Sequence, residues 1–392
     1  FWAVGYHTPC NRVVRVRPAD FRIAEGVPRR PGGEAPMRRA DVERVFARAL
    51  RRPDGRLRAS LSLFVEGEPL GGWRFEGTRP DDPNDVVPHE HRREARGMYV
   101  LSAWLNHFDS RAENNLDTWI AVDERRGYVR HYVLDVGESF GVIWPPSHGL
   151  SRRFGHSHYA DLEHILGDLV SLGFADRRYH DVAGEPPHPL FGYYDVFRFE
   201  PDQWRNGYPN PAFERRTEHD MAWMARILSR FDPPHLRAAI AAGRFSERRH
   251  AETLWRILRG RQRRILERYL TRLSPLTRPR VRDGALCLLD LAVRAGIRRA
   301  VDRRDRAIAW LDWPRPEARR TLPVRRDGPR VCTPLPPIAG ASPTSARYLV
   351  VELVAATLGR ETTGPLQVHL YQTGPTRYRI VGLRRRAPTP DA

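Results

Sequence analysis

One stretch of the sequence, residues 90–137, constrains the fold most, because a helix, a polar loop and a β-hairpin follow one another there without a break. Met98, Leu101 and Leu105 recur at the three- and four-residue spacing of an amphipathic helix. Residues 116–134 then contain two segments rich in β-forming residues, which are separated by a turn. A helix that leads directly into an antiparallel pair indicates an α+β fold.

The loop between the helix and the hairpin has the sequence NHFDSRAENNLD. It places His107 two residues before Asp109, and it places Asn114 five residues after Asp109. The same order and spacing occur in the H-R-D-x-x-x-x-N catalytic loop of protein kinases, which also lies between a helix and a hairpin. The segment therefore resembles the core of a protein-kinase-like, atypical kinase fold. Phe108 stands where the kinase motif has Arg.

The resemblance implies a phosphotransferase that uses ATP and Mg²⁺ and moves the γ-phosphate to an unknown hydroxyl acceptor. It implies that Asp109 takes the proton of that hydroxyl and that His107 belongs to the same catalytic loop. Asp135, after the hairpin, takes the position of the second metal-binding residue, so Asn114 and Asp135 would hold Mg²⁺. Gly137 would let the backbone turn after Asp135 on the nucleotide side of the site. The residue types also allow a plain helix-capping loop followed by an ordinary hairpin.

A wider part of the chain, roughly residues 1–275, resembles a group of uncharacterised bacterial proteins with kinase-like cores. The resemblance rests on WRFEGTRPDDPND at 73–85, PHEHRRE at 88–94, VRHY at 129–132 and YPNPAF at 208–213. It implies a two-lobe architecture and indicates no substrate.

The chain departs from a complete kinase at its beginning. Kinases anchor ATP with a Gly-rich loop and a Lys on strands before the hinge, whereas this sequence starts at Phe1 and contains no Lys. We expect that the true N-terminus is missing and that strands near 12–16 and 57–65 are the remainder of an N-lobe. The alternative is a catalytically inactive pseudokinase that acts as a binding scaffold. No targeting signal and no apolar run long enough to cross a membrane is visible, and the compartment stays unknown.

The sequence predicts four regions. They are a partial N-lobe and hinge at 1–72, a helical C-lobe at 73–314, a Pro- and Arg-rich linker at 315–343, and a small β unit with a tail at 344–392. Helices are expected at 159–172, 220–231, 234–242 and 247–273, and further helices at 285–295 and 303–311. Strands are expected at 347–354, 366–371 and 378–383.

The chain is strongly basic, with a formal net charge of +19, and all 66 of its basic residues are Arg. Such a charge is typical of nucleic-acid binders. Because the Arg residues are spread along the whole chain, we expect no dedicated nucleic-acid surface. Because one Arg side chain can donate two hydrogen bonds to a carboxylate or phosphate, the many arginines are also compatible with an acidic or phosphorylated ligand. Nucleic-acid binding stays open as a third function, and it predicts a steep salt dependence of affinity.

Other polar residues have simpler interpretations. Cys10, Cys287 and Cys332 match no metal spacing, and their odd number predicts buried free thiols without a disulfide framework. The His-Glu-His run at 89–91 is expected on a solvated first helical turn. Asp117 is expected to be a polar residue at the start of a strand, and the Arg-rich run 248–264 to be a solvated helix face. Glu138 follows Asp135, and a role for it in the site stays open.

Overall fold

The computed structural model describes residues 1–30, 32–141, 152–172, 188–311, 319–358 and 363–387. Within them the protein is an α+β fold in which all sheets are antiparallel. The helices are α1 (Arg39–Arg48), α2 (Arg93–Leu105), α3 (Leu162–Val170), α4 (Pro211–Glu214), α5 (Glu218–Leu228), α6 (Pro233–Ala242), α7 (Arg248–Tyr269) and α8 (Leu291–Arg294). The strands are β1 (Asn11–Val16), β2 (Leu57–Ser62), β3 (Glu68–Gly71), β4 (Asn115–Ala121), β5 (Gly127–Val133), β6 (Leu276–Arg282), β7 (Ala285–Asp290), β8 (Arg303–Trp310), β9 (Arg319–Leu322), β10 (Arg325–Asp327), β11 (Arg330–Pro334), β12 (Arg347–Thr357), β13 (Leu366–Gln372) and β14 (Tyr378–Arg385).

Helix α2 is the centre of the larger hydrophobic core. It is buried from Met98 to Trp104, and it packs against α4, α5 and α7. Burial on nearly every side explains why its apolar residues extend beyond a single stripe. The helix ends at Asn106, whose left-handed φ of 53° closes its C-terminus. This ending turns the chain sharply into the loop that follows.

The predicted hairpin is confirmed as β4 and β5, which pair from Asn115 opposite Val133 to Ala121 opposite Gly127. Strand β3 joins the outer edge of β4, so the three strands form one small sheet. On the other side, the Val133 amide donates to the carbonyl of His7. The sheet thus fixes the end of the polar loop, where β4 begins, and holds it against the N-terminal segment. The helices predicted at 159–172, 220–231, 234–242 and 247–273 are also present, as α3, α5, α6 and α7.

The N-terminal part contains a second antiparallel pair, β1 with β2, and the short helix α1. The strands predicted at 12–16 and 57–65 are therefore present, although β2 ends at Ser62. Arg58 attaches this part to the helical region by donating to the carbonyl of Gly243 at 2.8 Å.

The C-terminal part forms a β module with its own core. One sheet has the order β10-β11-β7-β6 and the other has the order β14-β13-β12-β8-β9. Their inward residues form a hydrophobic cluster separate from the core around α2, and the three strands predicted after residue 344 are confirmed within it. The residues from β6 to β14 are hereafter called the β module.

Two helix predictions in this region were wrong. Residues 285–290 and 303–310 are strands β7 and β8, and only the four residues of α8 within 285–295 are helical. Buried and partly exposed residues alternate along both strands, which is the period of a sheet. The predicted linker, 315–343, contains β9, β10 and β11, while residues 315–318 lie outside the described residues.

The prediction of free thiols was wrong for two of the three cysteines. Cys287 on β7 and Cys332 on β11 are directly opposite each other in the sheet, and they form a disulfide. Their sequence separation of 45 residues hid this pairing, because only the strand register brings them together. Cys10 is free, as predicted, but it is exposed, so the prediction that it is buried was wrong. In the part of the chain that the structure describes, no helix is long and apolar enough to span a membrane.

Candidate functional site

The polar loop after α2 lies on a rigid base. Phe108 is fully buried, and its ring stacks on that of Phe154 with centroids 3.9 Å apart. The side-chain oxygen of Asn106 accepts a hydrogen bond from the indole of Trp204. This packing explains why residue 108 is a phenylalanine, because an apolar residue is needed where the loop enters the core.

Two asparagines from a distant segment hold the middle of the loop. Asn206 and Asn210 both donate to the carbonyl of Ser110, and Asn206 also accepts from the Ser110 amide. Between them, the Gly207 amide donates to the carbonyl of Phe108 at 2.6 Å. A Cβ at position 207 would lie 2.9 Å from that oxygen, so only glycine allows this approach. The sequence predicted none of these contacts, although the YPNPAF stretch that includes Asn210 had marked the segment.

Asn114 connects the loop to the residue that follows the hairpin. Its side-chain nitrogen donates to the Asp109 carboxylate at 2.6 Å and to the Asp109 carbonyl at 2.8 Å. Its main-chain carbonyl accepts from the amides of Leu134 and Asp135 at 2.9 and 3.3 Å. The structure therefore brings Asp109, Asn114 and Asp135 close to one another. Because the amide nitrogen faces Asp109, the amide oxygen is left to face away from it.

Asp135 is exposed and is oriented by its own turn. One carboxylate oxygen accepts from the Gly137 amide at 2.8 Å. Gly137 does not have a left-handed φ, which instead occurs at Phe140 and Gly141. A Cβ on residue 137 would lie 3.1 Å from that Asp135 oxygen, so glycine here leaves room for the carboxylate. The reason for this glycine thus differs from the tight turn that the sequence suggested.

Three carboxyl groups influence one another at this place. Burial raises the pKa of Asp109, and the charge of Asp135 raises it further, while Asn114 and Arg111 oppose the rise. Burial also raises the pKa of Glu138, and the charges of Asp109 and Asp135 add to that rise. Glu138 and Asp109 lie within hydrogen-bonding reach when one of them is protonated. Glu138 is therefore a member of the site, a role that the sequence had left open.

Asp109 itself is only partly satisfied. Its Oδ1 is buried and has no hydrogen-bond donor among the described residues. The Arg111 Nε lies 3.1 Å from this oxygen, but without the alignment of a hydrogen bond. A buried acceptor without a donor is costly unless a ligand or water supplies one. This oxygen therefore lacks a donor that a water molecule or ligand reaching it would supply.

Tyrosines complete the surroundings of the loop. Arg111 lies over the ring of Tyr208 and donates to its hydroxyl at 3.3 Å. Tyr159 packs against Tyr208, and its pKa is raised by burial and then by the charges of Glu138 and Asp109. Both tyrosines come from segments far away in sequence, and only Tyr208 lies in a stretch, YPNPAF, that the sequence analysis singled out.

His107 lies beneath the site. It is buried, its ring packs edge-on against Phe1 at 5.3 Å, and burial lowers its pKa to about 4. The imidazole is therefore neutral near pH 7. A buried neutral ring supports the loop from below, and this position gives it no surface to offer a substrate.

The side chains near Asp135 could supply only some of the ligands of a metal ion. Among the described residues, no three Asp, Glu, His or Cys side chains form a metal-binding group on their own. Mg²⁺ in nucleotide sites commonly takes one or two protein carboxylates, with the phosphates and water filling the other positions. The oxygens of Asn114 and Asp135 fit that incomplete set.

The C-terminus of α2, which positions the loop, is capped by a buried arginine. Arg261 donates to the carbonyls of Ala103, Trp104 and Asp195, and its guanidinium lies 3.6 Å from the ring centre of Phe199. Burial lowers its pKa to about 10, so it stays charged at neutral pH. The prediction of a solvated face for 248–264 was therefore wrong at this position.

A second polar cluster lies on the hairpin away from Asp109. Asp117 is buried, is hydrogen-bonded to His131 and forms an ion pair with Arg79. His89 is also buried, stacks on Trp73 and contacts the Asp85 carboxylate at 2.7 Å. The prediction of a solvated 89–91 turn was wrong for His89 and Glu90, because this cluster fastens the turn to the sheet; His91 remains exposed.

A cavity of about 650 Å³ lies next to the loop, on the side where Asn206 and Asn210 contact it. Its walls include Asn106, Asn206, Tyr208, Asn210 and Arg216. It is large enough for a small organic molecule.

Comparison with protein-family models, curated proteins and solved structures finds no match for the chain.

Proposed function

We propose that the protein is a kinase-like phosphotransferase that moves the γ-phosphate of ATP to a hydroxyl acceptor. The observation that carries this proposal is the arrangement of Asn114, which donates to the Asp109 carboxylate through its side chain and accepts from the Asp135 amide through its backbone. Phosphoryl transfer requires a base for the acceptor and oxygen ligands for the metal, held at fixed relative positions.

Each residue has a defined role in this proposal. Asp109 would accept the proton of the acceptor hydroxyl, and no described residue donates a hydrogen bond to its Oδ1 while Glu138 is ionised. Asn114 and Asp135 would hold Mg²⁺, whose charge would neutralise that of the phosphates. Arg111, paired with Asp109 and Tyr208, would orient the base.

The architecture is also compatible with the proposal. Helix α2, the loop, the β4–β5 hairpin and Asp135 follow one another as in a kinase C-lobe, and β1–β2 with α1 would be the remainder of an N-lobe. We propose this two-lobe assignment together with the activity.

The first test is calorimetric titration of the protein with ATP, with and without Mg²⁺. We expect Mg²⁺-dependent binding in the wild type and its loss in Asp135→Ala. Glu124→Ala is a matched control, because Glu124 is an exposed carboxylate in the turn at the other end of the same hairpin. Absence of Mg²⁺-dependent binding in the wild type would overturn the phosphotransferase.

The second test separates binding from turnover. Asp109→Asn should bind Mg²⁺ and ATP but release ADP at least about 100-fold more slowly, which is the usual contribution of a general base. An unchanged rate of ADP release would remove Asp109 from the mechanism.

A pseudokinase scaffold is the second candidate function. The observation in its favour is the complete lack of Lys in the sequence, since a Lys normally pairs with the ATP phosphates in kinases. Mg²⁺-dependent ATP binding without any ADP release would favour this candidate.

A further inference from the structure

The positive charge of the chain is concentrated in its C-terminal part. Residues 276–392 contain 22 Arg against 10 Asp and Glu, a net charge of +12. Residues 1–275 contain 44 Arg against 37 Asp and Glu, a net charge of +7 over more than twice the length. The even spread of Arg had argued against a nucleic-acid surface, but the acidic residues that would neutralise them are not evenly spread. The β module is therefore the strongly basic part of the protein.

Arginines without acidic partners lie on the outer face of the five-stranded sheet. In the strand register, Arg379 is opposite Tyr371, Arg384 is opposite Gln367, and Arg306 is opposite Val354. All three arginines are exposed, and none forms an ion pair with another described residue. Their guanidinium groups are available to bind an anion.

The same face has an aromatic platform. The Tyr348 hydroxyl and the His369 Nδ1 are hydrogen-bonded at 2.5 Å, and the two ring planes differ by 25°. Their centroids are 6.1 Å apart, as expected when the bond joins the two ring edges nearly in one plane. The two rings therefore form one continuous flat surface, and both side chains are partly exposed.

Neighbouring residues extend this platform and keep it open. The Tyr371 ring lies 5.3 Å from that of Tyr348, and Arg379 lies 5.9 Å from the Tyr371 ring centre. Gly382 is opposite His369 in the register, and a Cβ added there would be 3.7 Å from the His369 side chain. Glycine at this position leaves the imidazole uncovered from the direction of β14.

We propose that this outer face binds single-stranded nucleic acid. Flat aromatic surfaces next to arginines on an open sheet are the arrangement on which bases stack while phosphates contact the cations. A duplex keeps its bases stacked inside and could use only the arginines. An anionic polysaccharide would use the same charges but has no planar bases for the rings. The combination of rings and cations therefore favours a single strand, independently of the activity proposed for the Asp109 site.

The test measures the affinity of the protein for a fluorescent oligothymidylate by anisotropy at several salt concentrations. We expect the wild type to bind the single strand more tightly than a duplex of equal length or heparin. Tyr371→Ala and His369→Ala should each weaken single-strand binding about tenfold, the effect of losing one stacked base. Phe197→Ala is the aromatic control, because Phe197 is 86% exposed and lies outside the β module. The Phe197→Ala variant should bind the oligothymidylate as tightly as the wild type.

Arginine variants separate phosphate contacts from stacking. The variants Arg379→Gln and Arg384→Gln should each make the negative slope of log affinity against log salt concentration less steep, by about 0.7 for each lost phosphate contact. Arg280→Gln, on the opposite sheet of the β module, should leave the slope unchanged. Tyr348→Phe keeps the ring and removes its hydroxyl, so binding should fall less than in Tyr348→Ala. Thermal unfolding of each variant shows whether it is folded.

Three outcomes would overturn the proposal. The first is an undetectable affinity of the wild type for the oligothymidylate. The second is that the wild type binds the single strand, the duplex and heparin equally tightly, and that Tyr371→Ala and His369→Ala are folded and bind the single strand as tightly as the wild type. This result would indicate a general attraction of polyanions. The third is tighter binding of heparin with loss in the ring variants, which would indicate an anionic polysaccharide.

Discussion

Asp109 and Glu138 lie close together in a partly buried place, and both carboxyl groups have raised pKa values for that reason. Ionisation of either group is thus less favourable in the folded protein than in the unfolded chain. Protonation of the two carboxyl groups therefore stabilises the folded protein at low pH. This stabilisation is lost as the pH rises through the pKa values that the two groups have in the folded protein. The proximity of the two carboxyl groups therefore lowers the stability of the folded protein at neutral pH.

We predict that Glu138→Gln raises the melting temperature of the metal-free protein at pH 7 and leaves it nearly unchanged at pH 4. At pH 7 the substitution removes a charge that Asp109 and Asp135 disfavour, whereas at pH 4 Glu138 is already protonated. Melting of Glu138→Gln and of the control Glu124→Gln at both pH values checks this. A gain of equal size at both pH values, or in the control, would contradict it.

The residues of the site could be predicted from the sequence only where they are close along the chain. Asp109 and Asn114 are five residues apart, and the hairpin returns Asp135 to them by its own pairing. Asn206 and Tyr208 reach the same loop from about 100 residues away, and only tertiary packing brings them there. Distance along the chain, more than residue type, decided what could be predicted.

Helix α2 is the element on which the site depends, because the loop begins where this helix ends. Its last carbonyls have no partner within the helix. Arg261 of α7 supplies donors to Ala103 and Trp104, and Trp104 in turn donates to the carbonyl of Leu258. The two helices are thus locked together at the point where the loop starts.

We predict that Arg261→Met lowers the free energy of unfolding by about 3 kcal/mol, because the carbonyls of Ala103, Trp104 and Asp195 each lose a charged donor while the volume is largely kept. The Tyr194 hydroxyl still donates to Trp104, and the Asn106 amide still donates to Ala103. The comparable substitution Arg263→Met, at an exposed position of the same helix, should change it by less than about 0.5 kcal/mol. Urea denaturation of the three proteins checks both values. Equal stability of the two variants would show that the cap contributes nothing.

The elements themselves were predictable where their hydrophobic period was clear. The alternation in β1, β2 and the hairpin identified these strands, and the helices α5 to α7 have the expected spacing. The strands β7 and β8 were taken for helices because their short apolar runs, ALCLLD and AIAW, have no distinct period. Pairing with β11 and β12 decides their conformation, and that information is not local.

At the scale of the molecule there are two cores, one around α2 and one within the β module. Apolar residues and hydrogen bonds both join the two parts. Leu291, Ala292 and Ile297 of the β module are buried members of the core around α2. The Gly364 amide donates to the Arg272 carbonyl, Arg385 donates to the Ser274 carbonyl, and the Arg385 carbonyl contacts His219. The disulfide between Cys287 and Cys332 lies wholly inside the β module. The disulfide therefore cross-links two residues that lie outside the core around α2.

We predict that the protein unfolds in two calorimetric transitions and that loss of the disulfide shifts only one. In the chain-entropy model, a cross-link between residues 45 apart stabilises its domain by about 4 kcal/mol. Cys332→Ser should therefore lower the melting temperature of the β module and leave the transition of the α2 core in place. Cys10→Ser, at an exposed free thiol, should shift neither transition. If Cys332→Ser shifts both transitions equally, the two cores unfold as one cooperative unit, and the nucleic-acid surface could then not be separated in stability from the Asp109 site.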